Sequence, residues 1–293
     1  MKKITKAVFP VGGMGTRFLP ATKSIPKEML PIIDKPLIQY AVEEAITAGI
    51  TTLIFITSAS KHAISDHFDP KPLLREKFFK EGKQHLLDKL HTIPNEITRV
   101  FVPQGEPLGL GHAVLQAKDI VGDEYFSVIL ADDFVKPNGH NPTKQLINAS
   151  IENNASVISV EEVPDDRVSQ YGIVDINSNG TDINAVNTIV EKPALQDAPS
   201  NLGVIGRYVL SPEVFELLEN TQSDKGGEIQ LTDALAKLLD KPNNLYAATL
   251  KGKRYDCGHK LGYIQATIDC ALDDSEISKD VTKFIHSLTK YDA

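Results

Sequence analysis

"PLIQYAVEEAITAGITTLIFIT", residues 36–57, decides how this chain is read. Ile38, Ala41, Val42, Ala45 and Ile46 recur at the three-and-four spacing that lays one apolar stripe along an α-helix, and Gly49 stands where such a helix stops. Then the period changes: "TLIFIT" (52–57) is a continuous apolar run with the length and β-branched content of a buried strand. A comparable run at 4–11 precedes the helix. Strand, helix, strand is the unit that builds a sheet with parallel neighbours. The alternation continues with strands at 99–104, 125–133 and 155–163 and helical patterns at 109–120 and 142–153. The expected fold class is α/β, Rossmann-like, with a mixed, mainly parallel central sheet flanked by helices.

Two regions depart from the alternation. Residues 70–98 carry a charged, amphipathic helical pair that reads as an insertion. After 165 strands dominate ("YGIVDIN", "NTIVEKP", "LGVIGRYVL"), followed by helical stretches near 211–219 and 230–240 and a mainly helical segment at 261–293 whose final residues are expected to be mobile. With no internal repeat, low-complexity tract or linker, residues 1–293 read as a single domain, the second half elaborating the same sheet.

Composition narrows the function. A chain of 293 residues that is 41% hydrophobic can bury a large core. Its formal charge of −8 argues against a nucleic-acid surface, which needs a basic face to neutralise phosphates. The amino-terminal residues lack the apolar stretch of a signal peptide, and no run approaches the roughly 20 apolar residues of a membrane span. Cys257 and Cys270 form no CxxC and imply no disulfide framework. The expectation is a cytoplasmic protein with no nucleic-acid or membrane partner.

Chemistry concentrates where the first strand ends, in "VFPVGGMGTRFLPATKSIPKEMLP" (8–31). In open α/β sheets ligands bind where strands end and loops begin. Gly12, Gly13 and Gly15 either form an ordinary tight turn or bring backbone N–H groups close to an anion. A dinucleotide fingerprint would need glycine at 18, which is Phe18, and a P-loop begun at Gly12 would need it at 17, which is Arg17. Pro20, Pro26 and Pro31 stiffen the segment, and Arg17, Lys23 and Lys27 charge it. An ordered, cation-bearing loop beside exposed N–H groups suits a polyphosphate.

"GGMGTRFLPATKSIPKEMLP" resembles the signature of the sugar-nucleotide pyrophosphorylases. The likeness continues in order through "QGEPLGLGHAV" (104–114), "LADD" (130–133), "YGIV" (171–174), "VEKP" (190–193), "SNLGVIGRYVL" (200–210), "GGEIQLTDAL" (226–235) and "RYDCGHKLGY" (254–263). It implies a nucleotide-diphospho-sugar transferase fold and a homo-oligomer. It also implies a reaction between UTP and glucose 1-phosphate, with Mg2+ as cofactor. A non-catalytic regulatory relative would be expected to lose the arginine of "GTR", and Arg17 is present.

The resemblance assigns roles residue by residue. Arg17, Lys27 and Lys192 would be catalytic, Arg17 near the departing pyrophosphate and Lys27 on the triphosphate; Lys23 has a weaker claim. Gly12, Gly13, Gln104 and Gly109 would bind the nucleotide, the Gln104 amide matching the donor and acceptor edge of uracil. Asp133, Gly172 and Glu191 would face the sugar, with Lys192 on its phosphate. Adjacent strand residues point to opposite faces, so Glu191 and Lys192 can both serve only if the chain bends there, as Pro193 suggests. Asp132 and Asp256 would hold the metal; His259, where a small or acidic residue is expected, flanks Asp256.

Overall fold

The computed structural model describes residues 3–59, 61–90 and 93–288; the terminal residues expected to be mobile, 289–293, lie outside them. The helix read from the quoted stretch spans Leu37–Ala48. It closes as expected: Gly49 takes φ 102°, and the N–H of Ile50 donates to the Ala45 carbonyl at 3.1 Å. Only a residue without a Cβ adopts that conformation at no cost.

Eleven strands concern the site: β1 (Lys6–Pro10), β2 (Thr52–Thr57), β3 (Thr98–Pro103), β4 (Phe126–Ile129), β5 (Asp133–Pro137), β6 (Ser156–Glu162), β7 (Gly172–Ile176), β8 (Ile183–Glu191), β9 (Leu202–Leu210), β10 (Leu245–Thr249) and β11 (Gly252–Asp256). Nine form one sheet in the order β3-β2-β1-β4-β9-β6-β10-β8-β7, and β5 pairs with β11 in a separate ribbon. Neighbours from β3 to β4 are parallel, as helical crossovers demand. Beyond β4 the sheet turns largely antiparallel: β9 runs against both β4 and β6, and β8 against β7 and β10, while β6 and β10 stay parallel. The sheet is therefore mixed, with its parallel character concentrated in the amino-terminal half.

In-register parallel pairing places Phe9, Phe55 and Phe101 in one row across β1, β2 and β3, with ring centroids 5.1 and 4.9 Å apart. They belong to one of two large apolar clusters, the other packing Val8, Ile54, Val128 and Leu210. Alternate residues of the same strands feed the two clusters, which is why these strands are apolar throughout rather than alternating. The insertion is present as Pro72–Lys80 and Gln84–Lys89, neither of which buries a residue. The carboxy-terminal segment forms Lys260–Asp273 and Ser278–Leu288. No helix among the described residues is long and apolar enough to cross a membrane.

One expected strand is cut short. The run 125–133 leaves the sheet after Ile129, turns through 130–132 and continues as β5 in the separate ribbon. The cause is Arg207, 2% exposed in the middle of β9. Its Nη1 donates to the carbonyls of Leu130 (3.1 Å), Asp133 (2.9 Å) and Gly206 (3.1 Å), gathering both ends of the turn. Its Nε and Nη2 donate to the two oxygens of Glu44, each at 2.8 Å, and Glu44 also accepts from the N–H (3.0 Å) and hydroxyl (2.6 Å) of Thr143.

Breaking a buried pair by removing one partner leaves an uncompensated charge. Glu44→Ala is therefore expected to lower unfolding free energy by about 3–5 kcal/mol, read by urea denaturation. A loss below about 1 kcal/mol, the range of exposed pairs, would show that water reaches Arg207.

Candidate active site

The glycine segment leaves the sheet between β1 and β2, where the Val11 N–H still donates to the Ile56 carbonyl at 2.8 Å. It is not a slack loop. It winds through three short 3-10 turns, Thr16–Phe18, Ala21–Lys23 and Lys27–Met29, and the Thr22 hydroxyl fastens it by donating to the Gly15 carbonyl at 2.7 Å. From below, the Lys61 ammonium donates to the Val11 carbonyl (2.6 Å) and to Glu28 (2.9 Å), tying the end of β1 to the turn that carries Lys27.

The sequence-predicted nucleotide residues fall into distinct classes. A Cβ on Gly12 would lie 2.6 Å from Gln104 Oε1, so a side chain there would push that amide out of its place. Gln104 is buried beyond β3 and its Nε2 lies 2.9 Å from His112 Nδ1. Gly12, Gln104, Lys23 and Lys61 all line a cleft of about 300 Å³. Gly13 faces open space. Gly109 takes φ 93° and packs against the backbone of Ile229, where a Cβ would come within 3.0 Å of the carbonyl oxygen. It thus seats the loop 224–230 rather than lining that cleft.

The carboxylates come from two distant segments. Asp132 lies in the turn shaped by Arg207, and Asp256 ends β11, paired with Asp133 across the ribbon. Asp256 Oδ1 accepts from the Gly258 N–H at 3.0 Å; its Oδ2 is 2.8 Å from His259 Nδ1 and accepts from the Tyr171 hydroxyl at 3.1 Å. His259 thus braces Asp256 in place. Gly258 shows how close the two acids stand: a Cβ there would be 3.0 Å from Asp256 Oδ1, 3.1 Å from Asp132 Oδ2 and 3.7 Å from Arg17 Nη1. Two carboxylates and a guanidinium converge on one gap kept open by glycine.

A gap faced by two hard oxygen donors fits a divalent cation of the Mg2+ type, which takes one or two carboxylates and completes its shell with phosphates and water. Among the described residues no group of three or more His, Cys, Asp or Glu side chains is arranged to hold a metal. Asp132 Oδ2 also accepts from the Lys27 ammonium at 2.5 Å. Burial alone would raise the Asp132 carboxyl, but that ammonium overrides it and holds the group below the usual carboxylate range. Burial likewise opposes charge on Lys27, and Asp132 keeps its amine above the usual lysine value.

Arg17, Asp132 and Asp256 also border a cleft of about 210 Å³ whose walls continue through Asp133, Tyr171, Glu191, Gln230, Thr232 and Arg254. Asp133 enters it already engaged: Oδ2 accepts from the Gly206 N–H at 2.7 Å and Oδ1 from Arg254 Nε at 2.6 Å. Arg254 also pairs with Glu161 and lies over the Tyr171 ring, 5.3 Å from its centroid. The bend expected after Glu191 is present. Lys192 takes φ 44°, its N–H donates to the Tyr171 carbonyl at 3.0 Å, and its ammonium lies 3.0 Å from Glu191 Oε1. Such a left-handed residue is costly outside glycine and brings together side chains that a strand would separate. A Cβ on Gly172 would sit 3.0 Å from Thr232 Oγ1 and 3.2 Å from Glu191 Oε2, so its absence lets those two close.

Tyr171, Gln230, Thr232, Arg254 and Lys61 were given no role by sequence reasoning. The first four lie inside motif stretches, and that was their only signal. Lys61 follows β2 with nothing local to mark it.

The nucleotidyl transferase family model matches residues 6–271. A UTP–glucose-1-phosphate uridylyltransferase of Bacillus subtilis (strain 168) is 46% identical over 289 residues, 98% of each chain. Among solved structures, a UTP-bound UGPase from Acinetobacter baumannii is 43% identical with a TM-score of 0.89, covering 98% of this chain and 100% of that one. A UDP-glucose pyrophosphorylase complexed with UDP-glucose is 40% identical with a TM-score of 0.82, covering 93% and 100%. A family match over nine-tenths of the length, and relatives matched from end to end, make this chain a member of the nucleotidyl transferase family.

Proposed function

We propose that this protein transfers a uridylyl group from UTP to glucose 1-phosphate, forming UDP-glucose and pyrophosphate. The observation that carries the reading is the gap beside Gly258, where Arg17, Asp132 and Asp256 meet on the wall of the cleft that holds Glu191, with Gln104 in a second cleft under the glycine segment. A nucleotide with its base at Gln104 and a sugar phosphate in the Glu191 cleft would bring their phosphates together there. The relatives bound to UTP and to UDP-glucose support the same pair.

A sugar-phosphate oxygen attacks the α-phosphorus, one P–O bond forming as the bond to pyrophosphate breaks. Little covalent chemistry falls to the protein, so rate comes from alignment and charge neutralisation. Arg17 grips the departing pyrophosphate and Lys27 the triphosphate. Gln104, its Nε2 occupied by His112, turns Oε1 over Gly12 to accept the uracil N3–H. Glu191 accepts from glucose hydroxyls, Lys192 meets the sugar's phosphate, and Gly172 leaves room for Glu191 beside Thr232. Asp133 acts mainly by holding Arg254 and the Gly206 N–H. Asp132 and Asp256 would hold Mg2+, which supplies positive charge to the phosphates when bound.

We also propose a homo-oligomer, supported by the apolar stripe Leu261, Ile264, Ile268 and Leu272 that the helix Lys260–Asp273 leaves exposed. Light scattering of the purified protein should give a multiple of the chain mass of 32.1 kDa; a monomer at micromolar concentration would remove this reading.

Pyrophosphate release across a panel of nucleoside triphosphates and hexose 1-phosphates tests the activity, with UTP and glucose 1-phosphate expected to be preferred. Binding of UTP without release for any pair would instead indicate a regulatory protein. Arg17→Ala should lower kcat on the order of a hundredfold, about 3 kcal/mol, with little change in UTP affinity. Asp132→Asn should do the same and recover partly at high Mg2+. Unchanged kcat in either variant removes that residue from the mechanism.

Glu191→Gln should raise KM for glucose 1-phosphate roughly tenfold or more, the equivalent of a charge-assisted hydrogen bond of about 1.5–3 kcal/mol. Lys192→Met should depress kcat as well, because the attacking phosphate loses alignment. Neither should alter UTP affinity measured by calorimetry. Normal sugar kinetics in both variants would reduce the pair to a surface salt bridge.

A further inference from the structure

The oxygen that Asp132 directs into the gap beside Gly258 is Oδ2, and Oδ2 is the atom to which the Lys27 ammonium donates at 2.5 Å. On the reading above, Lys27 belongs on the nucleotide's triphosphate and Asp132 on a divalent cation. A single ammonium cannot serve Asp132 and the triphosphate at full strength. The backbone beneath Lys27 is pinned by the pair of Lys61 with Glu28 and the Val11 carbonyl, so only the side chain is free to change partner. A lysine suits such an exchange, being a point charge on a flexible four-carbon stem. Two carboxylates facing one gap repel each other unless a cation lies between or beside them.

We propose that Lys27 is the resident counter-ion of Asp132 in the nucleotide-free protein, and that the phosphates of the nucleotide draw it away and so open the cation site. The divalent cation then binds with the nucleotide and not before it. Lys27 is both a phosphate ligand and the residue that keeps Asp132 from taking a metal prematurely. This inference rests on the nucleotidyltransferase reading of the same site.

Mn2+ alone, titrated into nucleotide-free protein and followed by the electron paramagnetic resonance of the free ion, tests it. Wild type should bind Mn2+ weakly, and Asp132→Asn should scarcely change that binding because Asp132 is already engaged. Lys27→Met should bind Mn2+ about tenfold tighter or better, the scale of one released charged contact, and lose the gain when combined with Asp132→Asn. Lys27→Arg, which keeps a cation beside Asp132, should match wild type. Equal Mn2+ affinity in wild type and a folded Lys27→Met variant overturns the proposal. If Lys27→Met fails to fold, tight Mn2+ binding by wild type that disappears in Asp132→Asn overturns it instead, while weak binding indifferent to Asp132→Asn upholds it. Because the titration needs no turnover, failure to form UDP-glucose would count against the proposed reaction and leave the Mn2+ result to be read on its own.

Discussion

A buried guanidinium underlies the site. Arg207 is taken out of water in the centre of β9, and the desolvation of a full positive charge has to be offset by something. Glu44 does so through two parallel hydrogen bonds from the helix Leu37–Ala48, and three main-chain carbonyls take the remaining donor. Two of those carbonyls belong to Leu130 and Asp133. The geometry that satisfies the arginine is thereby the geometry that breaks the strand and turns Asp132 toward the gap beside Gly258. Stability and function share one network here, and its donors and acceptors are matched so that little charge is left uncompensated.

The same logic recurs around the gap. Lys61 with Glu28 anchors the glycine segment, Arg254 with Asp133 and Glu161 walls the cleft that holds Glu191, and Tyr171 and His259 hold Asp256. Each pair fixes a side chain or a turn before any substrate is present. For a reaction whose rate comes from alignment and electrostatics, that prior ordering is the protein's main contribution. Lys27 with Asp132 differs from the others. In the proposed reaction it lies where substrate charge enters and both partners have another role, which makes it the pair suited to exchange.

Much of the framework was legible from residue order. The stripe Ile38–Ala41–Val42–Ala45–Ile46 and Gly49 predict the first helix and its stop, because helical period and positive-φ tolerance are properties of neighbouring residues alone. Pro193 pointed to the bend at Lys192 for the same local reason. The strand Leu245–Thr249 went unread: "LYAAT" has two alanines and little β-branching, and it is a strand because β6 and β8 offer it a place between them. The antiparallel turn of the sheet beyond β4 was equally invisible, since strand direction is decided by which neighbour is met.

At the site, the division follows distance along the chain. Sequence alone determined that Arg17 and Lys27 share an ordered loop after the first strand, that Asp132 and Asp133 follow a buried run, and that Glu191 and Lys192 stand at a bend. Only the tertiary structure decided that Asp132 and Asp256 face one gap beside Arg17, and that Asp133 is committed to Arg254 and Gly206. It also decided that Lys27 rests on Asp132. The physical reason is that local backbone preference depends on a few consecutive residues, whereas a charge takes the partner that folding brings within about 3 Å, and that choice is made between segments far apart in sequence.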